Sequence, residues 1–166
     1  AGHSVDVISG EPYPELDTGI NLIKLSGLNL FAEAKPLRAL RWQHLLSATD
    51  LFEWLSFNSG GFPEPYTFGR RLLSHLQQSD SHYDIIHDNQ SLCTGLLGLM
   101  RRGYAVTSTI HHPITFDRDI ALQNTQEWGL RLLIRRWHRF LQMQTQVTRQ
   151  LPYLSLIHIS EPTRPY

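Results

Sequence analysis

Cysteine is nearly absent from the sequence: Cys93 is the only one among 166 residues. A single cysteine excludes an intrachain disulfide and a metal site built from several cysteine thiolates. This usage is typical of a reducing compartment, and it indicates a cytoplasmic protein. The sequence also contains no apolar run near the ~20 residues that a membrane-spanning helix needs.

Neither sign of charge is in excess. Lysine and arginine total 15, as do aspartate and glutamate, so the net charge gives no reason to expect nucleic acid as a partner. Hydrophobic residues make up 41% of the chain and charged residues 18%, which is the composition of a globular protein. A chain of this length corresponds to one ordinary domain.

Short strand-like and helix-like segments alternate along the chain. Strands are predicted from alternating or β-branched apolar residues, and helices from apolar residues that return every three or four positions. The predicted strands are residues 4–9, 20–25, 83–87 and 105–110, and the predicted helices are residues 39–57, 65–78, 92–102 and 127–150. This order indicates an α/β fold with a parallel sheet.

The two ends of the chain do not fit this pattern. The sequence opens on Ala1 rather than Met, which suggests a start further upstream. Residues 155–166 follow no earlier periodicity, and they resemble the translated read-through of a sequencing-library adapter. We therefore expect one domain over residues 1–154 and a non-native tail over residues 155–166. The alternative is a genuine strand followed by a tail.

Two predicted strands end in polar residues. One is followed by Asp88 and Asn89, and the other by His111 and His112. Ligands of open parallel sheets bind at the carboxyl ends of the strands, so these residues are candidates for a binding site. The alternative for Asp88 and Asn89 is structural, because either side chain could cap the next helix, where Ser91 is itself a candidate cap.

His111 and His112 lie close in sequence to Asp117 and Arg118. Adjacent side chains of an extended segment point in opposite directions, which disfavours a shared metal ion. We expect instead that one histidine faces the cleft, where it could donate a hydrogen bond to a phosphate or a sugar hydroxyl, while the other packs into the protein. Asp117 and Arg118 either form a solvated pair or line an acceptor pocket, and the sequence leaves both interpretations open.

The predicted helix over residues 127–150 is rich in arginine and aromatic residues. A basic amphipathic helix can lie on an anionic membrane, which would place the protein at the inner membrane face. The interpretation that we prefer is a core-packing helix with a solvated basic face. The basic residues are Arg131, Arg135, Arg136, Arg139 and Arg149.

Three segments resemble motifs of the family-four glycosyltransferases. Residues 1–8 are similar to the A-x-x-G-H-x-V motif of that family's second strand. Residues 83–89 resemble its fourth strand, in which an aspartate, two apolar residues and a histidine follow one another, and residues 106–114 resemble its fifth strand with a T-x-H ending. The match covers roughly residues 1–152. The order and spacing of the motifs make the resemblance more specific than any one of them.

This resemblance implies a GT-B enzyme with two Rossmann-like domains, each a parallel sheet with flanking helices. Such an enzyme moves a sugar from a nucleotide-sugar donor, which is a substrate bound mainly by the C-terminal domain, to a hydroxyl acceptor (a sugar, lipid or glycan) bound by the N-terminal domain. It needs no metal or other cofactor. The histidine that ends the fifth strand of similar enzymes reaches the reaction centre, which assigns the catalytic role to His111. The acceptor-binding candidates are Asp88, Asn89, His112, Asp117 and Arg118.

The sequence departs from the family at both ends. The family's first strand, its Gly-rich loop and its entire second domain have no counterpart here, so we expect an incomplete acceptor-side domain that is inactive alone. The first strand of such a sheet lies between the second and the fourth, so the strands at residues 4–9 and 83–87 would flank an empty position. The alternative function is a non-enzymatic α/β module that binds a small ligand or a partner. A histidine-dependent metallohydrolase is a third interpretation, which the ligand spacing disfavours.

Overall fold

The computed structural model describes residues 2–156. Within that range helices flank parallel sheets, which confirms the α/β, Rossmann-like fold class. The elements are β1 (Asp6–Ser9), β2 (Asn21–Lys24), α1 (Ala48–Asn58), α2 (Glu64–Gln78), β3 (Ile86–Asn89), α3 (Thr94–Met100), β4 (Val106–Ile110), α4 (Ile114–Gln123), α5 (Trp128–Trp137), α6 (Phe140–Thr148) and β5 (Leu154–Leu156), with two short 3-10 segments, Pro36–Arg38 and Trp42–Leu46, before α1.

The strands form two separate parallel sheets. β1 pairs with β2, so that Asp6 lies opposite Asn21, and β4 lies between β3 and β5 in the second sheet. Among the described residues, β1 and β3 each keep one unpaired edge. A side-chain hydrogen bond links the two sheets, because the Tyr83 hydroxyl donates to Asp6 Oδ2 at 2.7 Å.

The hydrophobic core lies between α2, α3 and α6. Leu96 and Leu99 of α3 are buried there, as is Val147 of α6. Gly69 of α2 and Gly95 of α3 let the two helix backbones touch, since a Cβ atom at Gly95 would overlap the Gly69 carbonyl oxygen and lie 2.9 Å from its carbon. Close packing at this contact therefore requires the smallest side chain on both helices.

The helix predicted over residues 39–57 is wrong in its first half. Trp42–Leu46 is a 3-10 segment, and α1 begins only after Ser47. Ser47 has an extended backbone, and its side chain accepts a hydrogen bond from Asp50 N at 3.2 Å. This is an N-cap arrangement, which starts a new helix at that residue and so ends any helix predicted through it.

The helix predicted over residues 127–150 is two helices. α5 ends at Trp137 and α6 begins at Phe140, and at the turn between them the His138 imidazole donates to a carbonyl of the preceding turn at 2.8 Å. The break lets both flanking aromatic rings pack on Phe62, with ring centroids 5.2 Å (Trp137) and 5.1 Å (Phe140) away. The apolar periodicity continues across the turn and so did not reveal it.

Other boundaries also differ from the predictions. β3 starts at Ile86, later than predicted, and continues to Asn89. Its polar residues therefore pair with β4. α4 was not predicted, although Pro113 precedes it and proline is common at helix starts. α3 has Cys93 rather than Ser91 at its N-cap position, because the Ser91 hydroxyl donates to the Asp88 carboxylate instead.

The predicted tail falls mostly outside the described residues. Its first two residues, Ser155 and Leu156, lie in β5 and pair with β4. Residues 157–166 are not among the residues that the structure describes. The non-native origin of residues 155–166 stays a prediction.

Candidate functional site

Asn89 and His111 meet at the carboxyl end of the sheet that contains β3 and β4. The two strands are parallel neighbours with Asn89 opposite Thr109, so the residues after both strands reach one edge. His111 Nε2 donates a hydrogen bond to Asn89 Oδ1. Because an amide oxygen only accepts, the proton of a neutral His111 lies on Nε2 and Nδ1 keeps its lone pair. Nδ1 makes no hydrogen bond within residues 2–156.

Asp88 is buried, and its carboxylate organises the turn after β3. Its relative exposure is 7%. One oxygen accepts from the Ser91 hydroxyl and from Ser91 N at 3.2 Å, while the other accepts from Ser108 Oγ at 2.6 Å and from Leu92 N at 3.0 Å. Four protein donors therefore satisfy this carboxylate, as a buried charged group requires. Contact of Asp88 with an acceptor stays a prediction.

Gln90 holds the backbone of both histidines, a role that no sequence pattern predicted. Its φ of +63° lies in the left-handed region, which turns the chain sharply after β3. Its Oε1 accepts from His111 N at 2.5 Å and His112 N at 3.0 Å, and its Nε2 donates to the His112 carbonyl at 2.5 Å. One amide side chain thus fixes the end of β4 against the end of β3. Its partners are twenty-one and twenty-two positions away, so no local pattern announced them.

His112 and Asp117 form a second, exposed group at the same edge. His112 Nε2 lies 2.8 Å from Asp117 Oδ2, whereas Arg118 pairs with Asp119 at 2.8 Å. The solvated ion pair between Asp117 and Arg118, one of the two open interpretations, is therefore not formed. His111 and His112 have different partners, and the described part of the chain brings together no three His, Cys, Asp or Glu side chains in a metal-binding arrangement.

A cavity of about 410 Å³ lies beside this edge. It is bounded by the carboxyl end of β1, the turn after β3 and the beginnings of α2, α4 and α6. Its lining residues are scattered over the chain and form no motif, so the sequence did not predict a cavity here. Its polar lining includes Glu53, Glu64, Arg71 and Gln90, and its apolar lining includes Phe62 and Phe68.

A curated protein is similar in sequence to this chain. No protein-family model matches the chain. Among curated proteins, the chain is 42% identical over 154 residues to the MMP alpha-(1->4)-mannosyltransferase of Mycolicibacterium hassiacum. The matched residues are 92% of this chain and 37% of that protein, so the chain spans a little over a third of the length of the curated relative. Over nearly all its length, the chain is therefore similar to one part of a mannosyltransferase.

Proposed function

We propose that the complete gene product containing this chain is a glycosyltransferase of family four. It transfers mannose from a nucleotide-sugar donor to a hydroxyl group of a carbohydrate acceptor, and this chain supplies the acceptor-side domain. The observation that carries the proposal is the 42% identity over 154 residues to an α-(1→4)-mannosyltransferase. The α/β fold agrees with the resemblance of the sequence motifs to that family. As that resemblance implies, the donor is a substrate and no metal or other cofactor takes part.

Within this proposal, His111 contacts the reacting groups. Nε2 of His111 is bonded to Asn89. Nδ1 of His111 is therefore the atom that accepts a hydrogen bond from a hydroxyl group of the acceptor sugar. Asp88 and Gln90 are positioning residues, because their side chains bond the turn after β3 and the backbone after β4. The proposed acceptor-binding side chains at this edge are Asp88, Asn89, His112, Asp117 and Arg118.

The complete gene product is expected to transfer a single hexose. Incubation with GDP-mannose and with mannose-containing oligosaccharides should give a product that is heavier by one hexose in mass spectrometry. UDP-glucose under the same conditions is the control donor. Acceptor binding without transfer from any nucleotide sugar would contradict the proposal and favour a non-enzymatic ligand-binding module.

Peripheral contact with an anionic membrane is a separate proposal, supported by the outward face of α5. No helix within residues 2–156 combines the length and apolarity needed to cross a bilayer. α5 contains no buried residue, and Trp128 and Leu132 are 82% and 59% exposed on the helix that also carries the exposed Arg135. The other two arginines of α5 bond the protein, Arg131 to the Thr125 carbonyl and Arg136 to a serine hydroxyl.

The protein is expected to sediment with vesicles that contain phosphatidylglycerol, and less with vesicles of phosphatidylcholine alone. Arg135→Glu should reduce this binding, because it reverses the charge of an exposed cation near the apolar side chains. Equal sedimentation with both kinds of vesicle, or none, would contradict membrane contact through α5.

A further inference from the structure

The cavity beside the candidate site contains a carboxyl group that the fold does not use. Glu64 is the first residue of α2 and lines the cavity. Within residues 2–156 its side chain makes neither a hydrogen bond nor an ion pair, and only its backbone carbonyl accepts a bond. Burial raises the pKa of the Glu64 carboxyl group, and the negative charge of Glu53 raises it further. Among residues 2–156 this partly desolvated acid therefore has no compensating partner.

The other charged groups deep in this region are already paired. Arg71 Nη2 lies 2.5 Å from Glu53 Oε2 and 2.6 Å from Asp50 Oδ1. Glu53 Oε1 also accepts a hydrogen bond from Leu28 N at 3.2 Å. Arg71 therefore pairs with two carboxylates on α1 and makes no ion pair with Glu64. Among the described residues no group bonds the half-buried Glu64 carboxylate, so it is free to accept hydrogen bonds from a ligand in the cavity.

The remaining walls of the cavity suit a sugar ring. Phe62, Phe68 and Phe140 line it, and aromatic rings offer apolar surfaces to the C–H face of a sugar. Ligand sites of proteins combine such apolar walls with a few polar groups that fix orientation, and their volumes start at about 300 Å³. Gln90, whose side chain bonds the backbone of His111, also lines the cavity. A ligand in the cavity therefore lies next to the candidate reaction centre.

We propose that this cavity binds one sugar ring of the acceptor, whose hydroxyl groups donate hydrogen bonds to the Glu64 carboxylate. The inference rests on the proposed function, which requires a carbohydrate acceptor on this side of the protein. A neutral ring fits better than the phosphates of a nucleotide sugar, because the lining carboxylates without an ion pair, Glu11 and Glu64, are negative. The cavity thereby separates the acceptor from the donor by charge.

The test is sugar binding in the absence of any donor. The complete gene product is expected to bind methyl α-D-mannoside and an α-(1→4)-linked mannose disaccharide, as followed by NMR titration. Glu64→Gln is expected to weaken this binding by about tenfold or more, since a hydrogen bond to a charged group becomes one to a neutral amide. Glu15→Gln removes an exposed carboxylate that does not line the cavity, and this matched control is expected to bind as the wild type does.

Thermal unfolding separates a binding role from a structural one. Because the folded-state pKa of Glu64 is raised, its ionisation lowers the free energy of unfolding as the pH rises from the usual pKa of glutamate to the raised one, and the full loss remains above it. Glu64→Gln is therefore expected to raise the Tm at pH 8, and this gain should disappear as the pH falls below the usual range of glutamate. Glu11, Glu53 and Arg71 also line the cavity and are the same in both proteins. Weaker binding by a more stable variant is expected only of a ligand-binding residue.

Several results would overturn the inference: equal affinity of Glu64→Gln and wild type, no sugar binding by the wild type, or a less stable Glu64→Gln variant that binds weakly. Protein atoms filling the cavity in a structure of the complete gene product would overturn it too. These results differ from a failure of the proposed function. If the protein binds sugar in a way that depends on Glu64 but transfers none, the cavity assignment holds and the proposed function fails. If Glu64→Gln binds and transfers sugar as the wild type does, the proposed function holds and the cavity assignment fails.

Discussion

Replacing His111 by alanine is expected to lower the kcat of the complete gene product by about 10²–10³, since a side chain that accepts a hydrogen bond from the reacting hydroxyl and assists its proton transfer typically contributes about 10²–10⁴ to the rate. The imidazole is held at the carboxyl end of the sheet by Asn89. The change in KM for the acceptor should be much smaller, because other side chains bind the ground state. The backbone of residue 111 is bonded by Gln90 rather than by the imidazole, so the local fold should persist. Steady-state kinetics measure the effect.

His82→Ala is the matched control for this substitution. His82 is exposed, and its ring lies 6.3 Å from that of Tyr104, which precedes β4 at the amino ends of the strands. Its replacement should leave kcat unchanged. A His111→Ala variant with a wild-type circular dichroism spectrum and a wild-type kcat would remove His111 from the reaction centre.

Gly95→Ala is expected to lower the free energy of unfolding by about 3 kcal/mol, at the upper end of the usual cost of overpacking a core. The added Cβ meets the backbone of Gly69, and backbone atoms of a neighbouring helix cannot rotate aside as a side chain does. α2 and α3 then have to separate around the buried Leu96 and Leu99. At roughly 2–4 °C per kcal/mol for a domain of this size, the Tm should fall by roughly 6–12 °C.

Gly129→Ala makes the same chemical change without the contact. Gly129 lies in α5, and a Cβ atom there would meet nothing within 4 Å. The higher helix propensity of alanine should then stabilise the protein by up to ~1 kcal/mol. If Gly95→Ala lowers the free energy of unfolding and Gly129→Ala raises it, the loss at Gly95 is due to its close approach to Gly69. A Gly95→Ala protein with the wild-type Tm would contradict that approach.

The α/β class was predictable from the sequence alone, as was the edge of the sheet that carries the candidate site. β1, β2 and β4 lie within predicted strands, and α2 begins at Glu64, next to the predicted start at Pro65. Apolar periodicity is a local property that reports which face of an element is buried, so it is visible without knowledge of the rest of the fold. The polar residues Asp88 and Asn89 at the end of β3, and His111 and His112 after β4, were visible because they interrupt an apolar segment.

Helix continuity was not predictable in this way. Ser47 interrupts one predicted helix, and the turn at His138 interrupts another. Both sites leave the three- and four-residue spacing of apolar side chains nearly intact. At Ser47 the helix begins because the side chain caps a single backbone N–H. At His138 the helix breaks where Trp137 and Phe140 pack on Phe62. Neither effect changes the apolar periodicity.

Which polar side chains meet, and which of those within residues 2–156 make no ion pair, depends on how the helices and strands pack in three dimensions. The parallel register of β3 and β4 brings Asn89 to His111 and lets Gln90 bond two residues more than twenty positions away. Arg71 pairs with carboxylates of α1 and makes no ion pair with Glu64, although Glu64 and Arg71 lie on the same helix. The physical reason is that a hydrogen bond or an ion pair depends on distances of about 3–4 Å. Those distances are set by how elements pack against one another, whereas burial follows from the pattern within each element.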